Sequence, residues 1–66
     1  MEITVNGHKK EFPSPLTVSG MLTELGINPR SVVVEKNLRI VNRDEMEHEV
    51  VLDGDTIEII RLVGGG

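Results

Sequence analysis

Apolar residues recur with two different periods along this chain. At its start, Ile3 and Val5 alternate with Glu2 and Thr4, the two-residue period of a strand with one buried face. Asn6-Gly7 follows, a pair that tolerates positive φ in a type I′ turn, and His8 to Phe12 is then the returning strand of a hairpin. Pro13 and Pro15 end that strand. The period then changes. Val18, Met21, Leu22 and Leu25 fall at i, i+3, i+4 and i+7, one apolar face of a short helix. Thr17 stands where a hydroxyl can cap the first turn. Gly26 stands one residue past the last apolar position, and Asn28-Pro29 blocks continuation. Gly20 lies inside this helix and has two readings: a cost of up to about 1 kcal/mol against alanine, or room for a close approach to the sheet.

The strand period returns at Ser31 to Glu35. Val32, Val33 and Val34 form an unbroken β-branched run, which predicts a central strand covered on both faces. Lys36-Asn37 reads as a turn and Leu38 to Val41 as a further short strand. Residues 42–49 are polar and acidic, with Met46 as their anchor into the core. Leu52-Asp53-Gly54-Asp55 is another turn, and Thr56 to Val63 is the last strand, running straight into Gly64, Gly65 and Gly66. Within it Ile57 and Ile59 share one face, and Glu58, Ile60 and Leu62 the other. If a helix covers the first face, Ile60 and Leu62 are partly exposed beside the tail. They then either meet a partner or pack beneath a neighbouring loop.

The resulting order is hairpin, helix, strand, short strand, irregular segment, strand. One helix laid across one face of a mixed sheet buries all these apolar sets, an α+β arrangement of the ubiquitin-like β-grasp kind. Residues 1–63 make the domain and residues 64–66 a flexible glycine tail. No repeat or linker divides the chain.

Composition narrows the function. A domain of 66 residues buries only about 60% of the surface its chain could expose, which predicts modest stability. With no cysteine, the chain carries no disulfide, thiolate zinc site or side-chain persulfide. Eleven acids against seven Lys and Arg give a formal charge of −4, the wrong sign for a phosphate-backbone binder. Phe12 is the only aromatic residue, so no stacking platform for bases exists. No apolar run approaches the length of a membrane span and no signal peptide is visible, so the expectation is a soluble cytoplasmic protein without nucleic-acid or membrane partners.

Candidate chemistry concentrates at the tail. Glycine has no β-carbon and cannot help build a core. Three extended residues reach roughly 10 Å beyond the last strand, enough to enter a narrow channel and present one carboxylate. A free α-carboxylate on Gly66 is ionised near neutral pH and can attack an activated phosphate. A linker, a fraying end or a cloning remnant would have the same composition. Elsewhere the residues are bland. His8 and His48 are far apart, with no ligand spacing between them. Asp44, Glu45, Glu47 and Glu49 around His48 read as a solvated acidic face rather than a cation loop, and no metal is expected. Asp53 and Asp55, flanking Gly54, are turn residues. Gly64 to Gly66 precedes no helix and makes no phosphate cradle.

The whole chain resembles the ThiS family of thiamine-biosynthesis sulfur carriers. The resemblance runs through Met1-Glu2-Ile3 with Asn6-Gly7, Thr17-Val18 with Met21-Leu22 and Leu25, and Val34-Glu35-Lys36-Asn37. It continues through Ile40-Val41 with Arg43, and Leu52-Asp53-Gly54-Asp55 before Ile57-Glu58-Ile59, to Val63-Gly64-Gly65-Gly66. Each internal piece is weak alone; order, length and the terminal glycines together are specific. Asn42 stands where the family commonly has a proline, and Met46 where a tryptophan or other large apolar residue is usual.

The resemblance implies a carrier and cosubstrate with no catalytic residues of its own. A partner similar to ubiquitin-activating enzymes adenylates the Gly66 carboxylate with MgATP, and the chain itself holds no permanent cofactor. Sulfur from a persulfide protein then replaces AMP, leaving a thiocarboxylate that thiazole synthase consumes. Gly64 and Gly65 occupy the partner's channel, and Ile60 and Leu62 contribute to the interface. Three other readings share parts of this pattern. The small subunit of molybdopterin synthase resembles a longer chain with prolines or bulky residues before the glycines; Arg61-Leu62-Val63 looks more like the thiamine carrier. A protein modifier would end in isopeptide linkage. A noncovalent β-grasp interaction module would not need its glycines.

Overall fold

The computed structural model describes residues 1–63 of the chain. Seven strands and one helix follow in order: β1 (Glu2–Val5), β2 (His8–Glu11), β3 (Leu16–Thr17), α1 (Val18–Leu25), β4 (Val32–Lys36), β5 (Arg39–Val41), β6 (Val50–Val51) and β7 (Thr56–Arg61). Five of them form one mixed sheet in the order β2-β1-β7-β4-β5. The last strand is therefore central: β7 runs parallel to β1, with Val5 opposite Ile57, and antiparallel to β4, with Val34 opposite Ile59. This is the expected α+β, ubiquitin-like β-grasp fold.

The local signals act as their chemistry requires. Asn6 and Gly7 take φ of 49° and 82°, the two positive values of a type I′ turn. The Thr17 side chain accepts from the Gly20 N–H at 3.0 Å. The next-door orphan donors of the helix find long-range partners: Val18 N–H donates to Glu49 O and Ser19 N–H to Met46 O, each at 2.9 Å. At the other end Gly26 is left-handed, with φ of 71°, and Ile27 N–H closes the cap onto Leu22 O at 2.9 Å. Val18, Met21 and Leu22 join Ile3, Val5, Val32, Val34, Val41, Val51 and Ile57 in one core, into which Phe12, Leu16 and Met46 also close. Every buried side chain among the described residues is apolar.

Four features differ from the sequence reading. Residues 16–17 and 50–51 pair as a separate two-stranded ribbon, β3 with β6, which fixes the polar segment against the start of the helix. The valine run is not covered on both faces: Val32 and Val34 are buried, while Val33 points to the open face and is half-buried. Among the described residues α1 is the single α-helix, and it lies on the other side of the sheet. The second hairpin turns at Asn37 and Leu38, both with positive φ, so β5 begins at Arg39 rather than at Leu38. Finally, β7 ends at Arg61 instead of Val63, because Val32 opposite Arg61 is where β4 begins.

Gly20 is also decided. A β-carbon there would meet only Leu16 Cδ1 and Thr17 Oγ1, both at 3.4 Å, and nothing of the main sheet. No close approach requires the glycine.

Candidate functional site

The strand that leads toward the glycines is held from both sides for unequal lengths. On the β4 side its pairing extends from Lys36–Ile57 to Val32–Arg61, and Leu62 N–H adds one more bond to Ser31 O at 2.8 Å. On the other side β1 is shorter, and its register with β7 stops at Val5–Ile57. Asn6 continues the ladder in its place. Its backbone N–H donates to Ile57 O at 2.9 Å. Its side-chain Oδ1 accepts from Ile59 N–H at 2.7 Å, and Nδ2 donates to Ile59 O at 3.3 Å. One side chain thus substitutes for a residue of a neighbouring strand. Sequence reasoning found Asn6 only as a turn former; a side chain bridging 53 positions leaves no local signal.

Past this point β7 is held from the β4 side alone, and the strand ends at Arg61. Ile60 retains 49% of its exposure, Leu62 52% and Val63 96%. Neither Ile60 nor Leu62 is packed beneath a loop. Ile60 is paired with Val33 on the open face, and Ile40 of β5, 63% exposed, stands on that same face opposite Glu35. Val33, Ile40, Ile60 and Leu62 therefore form an apolar strip flanked by Glu35 and Glu58. Ile40 was absent from the sequence-derived site because strand alternation alone does not tell which face lacks a cover. Gly64, Gly65 and Gly66, the expected reacting tail, lie outside the described residues.

At the opposite end of β7 a polar cluster fixes the strand's start. Lys36 Nζ lies 3.0 Å from Glu49 Oε2 and 3.8 Å from Asp55 Oδ2. Burial alone would raise the Asp55 pKa. The Leu52 N–H donated to Oδ2 at 2.8 Å, the Asn37 Nδ2 donated to Oδ1 at 3.1 Å and the Lys36 ammonium outweigh it, and hold the carboxyl below its ordinary range. Asn37 Oδ1 in turn accepts from Thr56 N–H at 2.9 Å. Asp55 is thus a structural turn residue, as expected. Among the described residues no group of three or more His, Asp or Glu side chains is arranged to hold a metal ion. In the acidic segment, Glu45 Oε1 instead accepts from the Asn42 N–H at 3.0 Å. A proline at that position could not donate this bond.

A small β-grasp domain whose central last strand delivers its end beside an exposed apolar strip has well-defined relatives. A model of the ThiS family matches residues 2–66. The chain belongs to the ThiS family. It is 41% identical over 51 residues to the sulfur carrier protein ThiS of Bacillus subtilis, covering 76% of each chain. Its fold superposes on the crystal structure of ThiS from Geobacter metallireducens with a TM-score of 0.86 and 32% identity, covering both chains completely. It is also 41% identical, over its whole length, to a thiazole synthase of Paramagnetospirillum magneticum. The chain spans about a fifth of the length of that protein and of a second thiazole synthase, from Magnetococcus marinus, to which it is 35% identical. No helix among the described residues is long and apolar enough to cross a membrane.

Proposed function

We propose that this chain carries sulfur as an acyl group on Gly66. The observation that carries the proposal is the family match, whose range of residues 2–66 includes the glycines at residues 64–66. The geometry of β7 supports it: the strand is anchored in the middle of the sheet up to Leu62, so a partner that grips the domain knows where the following residues begin. In the proposed cycle a Gly66 carboxylate oxygen attacks the α-phosphorus of MgATP held by an adenylating enzyme, and pyrophosphate leaves. The terminal sulfur of a protein persulfide then attacks the acyl carbon and AMP leaves. A thiol cleaves the sulfur–sulfur bond, and the thiocarboxylate remains. Matches to part of two thiazole synthases support thiazole synthase as the acceptor. All these enzymes act in the cytoplasm on this reading. Ile60 and Leu62 form part of the surface the adenylating enzyme reads, with Gly64 and Gly65 in its channel.

The test is ATP–pyrophosphate exchange with the cognate adenylating enzyme. A methyl group at Gly66 restricts φ and ψ and narrows the approach to the acyl carbon, and a misplacement of about 1 Å can cost about a hundredfold in rate. Gly66→Ala should bind nearly as well as the parent and exchange far more slowly. One added residue beyond Gly66 displaces the carboxylate by about 3.5 Å and should be worse still. Parental exchange by both variants would refute the proposal. The thiocarboxylate itself is read by intact mass after iodoacetamide trapping. Alkylation is needed because a sulfur for oxygen exchange matches the nominal mass of one oxidation at Met1, Met21 or Met46, and the cysteine-free chain offers no competing thiol.

A further inference from the structure

The helix-side face of the sheet is not fully covered. In the β1–β2 hairpin, Lys10 pairs with Ile3 and His8 with Val5, so both bases stand on the same face as two core residues. Edge strand β2 lies beyond the helix, and both side chains are exposed. In β7, Arg61 continues the core-facing row Ile57, Ile59 and likewise emerges from the core. Between them lies an open cleft of about 410 Å³, bordered by Asn6 and floored by Val5, Leu25, Ile27, Val32 and Ile59. Among the described residues no carboxylate lines it. Among the described residues His8, Lys10 and Arg61 form no ion pair. In a chain of formal charge −4, three bases thus converge on one apolar depression, on the face of β7 opposite Ile60 and Leu62.

We propose that this cleft is a second docking surface, and that its occupant is an acidic segment of a partner protein that inserts one large apolar side chain. The floor asks for an apolar anchor, and a cleft of this size admits one. The rim asks for carboxylates on either side of it. A small inorganic anion would leave the floor bare. A nucleic acid would bring many phosphates against the chain's acidic remainder, which includes Glu35, Glu58 and the residues around His48. Because Arg61 belongs to the strand that carries the tail, a partner seated here would hold that strand from the face the apolar strip does not reach. The surface does not depend on the tail's chemistry: the residues named for it lie between Val5 and Arg61.

The experiment is an NMR titration of the ¹⁵N-labelled chain with two capped synthetic peptides. One has a leucine flanked on each side by two glutamates; the other carries lysines in place of the glutamates. The acidic peptide should move the amide signals of Leu25, Ile27 and Ile59 saturably, with a dissociation constant near ~1 mM or below, weakening as salt is raised. The doubly reversed variant Lys10→Glu, Arg61→Glu should retain the parent's dispersed spectrum and bind about tenfold or more weakly. Ile60→Glu, on the other face, should bind as the parent does. Equal shifts with the lysine peptide, shifts centred on Val33 and Ile60, or undiminished binding by the doubly reversed variant would each overturn the assignment. If that variant loses its dispersed spectrum, the single variant Lys10→Gln decides: binding equal to the parent's overturns the assignment, and weaker binding upholds it. ATP–pyrophosphate exchange fails or succeeds separately, since it reads Gly66 and not the cleft.

Discussion

Replacing Asn6 by glycine isolates what its side chain does. Glycine accepts the φ of 49° without strain, and Gly-Gly remains compatible with a type I′ turn. The backbone N–H bond to Ile57 O survives. What disappears is the pair of side-chain bonds to Ile59, at 2.7 and 3.3 Å. A typical intramolecular hydrogen bond contributes about 1 kcal/mol net, and the longer one less. The freed Ile59 groups lie near solvent, so water replaces part of the loss. Greater freedom of the unfolded chain adds about 0.5 kcal/mol. The sum is about 1.5–2 kcal/mol, which for a domain of this size lowers the melting temperature by roughly 6–16 °C. Urea unfolding followed by far-ultraviolet circular dichroism measures the change. Amide exchange locates it: Ile59 should lose protection while Ile3, on the far side of the same hairpin, changes only with global stability. Stability within about 0.3 kcal/mol of the parent, or unchanged protection at Ile59, would show that β7 does not need this clamp.

Other expectations follow from the same geometry. Gly20→Ala should stabilise the domain by about 0.5–1 kcal/mol, because the helix gains propensity and the new methyl meets only ordinary contacts; thermal unfolding reads it. Leu62→Glu should weaken the complex with the adenylating enzyme and leave the melting temperature within a few degrees of the parent, since about half of this side chain is already in water; equal affinity in a calorimetric titration would remove Leu62 from the interface. The folded-state pKa of Asp55 is depressed, so its carboxylate contributes stability above the unfolded value of about 3.9 and loses it as pH falls through the folded value. Asp55→Asn should therefore lower stability near neutral pH and flatten the acid limb of the stability profile below about pH 4, read by denaturant titrations at stepped pH.

Much of this architecture is legible in the sequence because its local signals agree with the global fold. The Asn6-Gly7 turn, the Thr17 cap, the four apolar helix positions and the Gly26 stop each name their own structure, and Met46 is the single apolar residue in its segment. The β3–β6 ribbon was not legible: two residues per strand cannot show a period, and both partners lie beside stronger signals. The valines of β4 misled for a different reason. A β-branched run looks alike whether one face or two are covered, and only the count of covering elements distinguishes them. The turn at Asn37-Leu38 defeats propensity outright, since leucine at a φ of 70° is rare and is imposed here by the pairing of Lys36 with Arg39. At the site, Ile60 and Leu62 were visible from alternation. Asn6, Ile40 and the basic cleft were not, because each depends on which strands become neighbours.

The central place of β7 has a consequence for how the protein comes into being. Residues 1–55 contain the β1–β2 hairpin and the β4–β5 hairpin, and no pairing in the main sheet joins the two without Thr56 to Arg61. Hairpins alone are marginal in water. On the ribosome the sheet can therefore close only after residues 56–61 have emerged, when β7 slots between β1 and β4. A domain assembled this way has no closed main sheet that lacks β7. Chains released before residues 56–61 are made stay open to proteolysis, and the folded pool is selected, by topology alone, for molecules that have already made them.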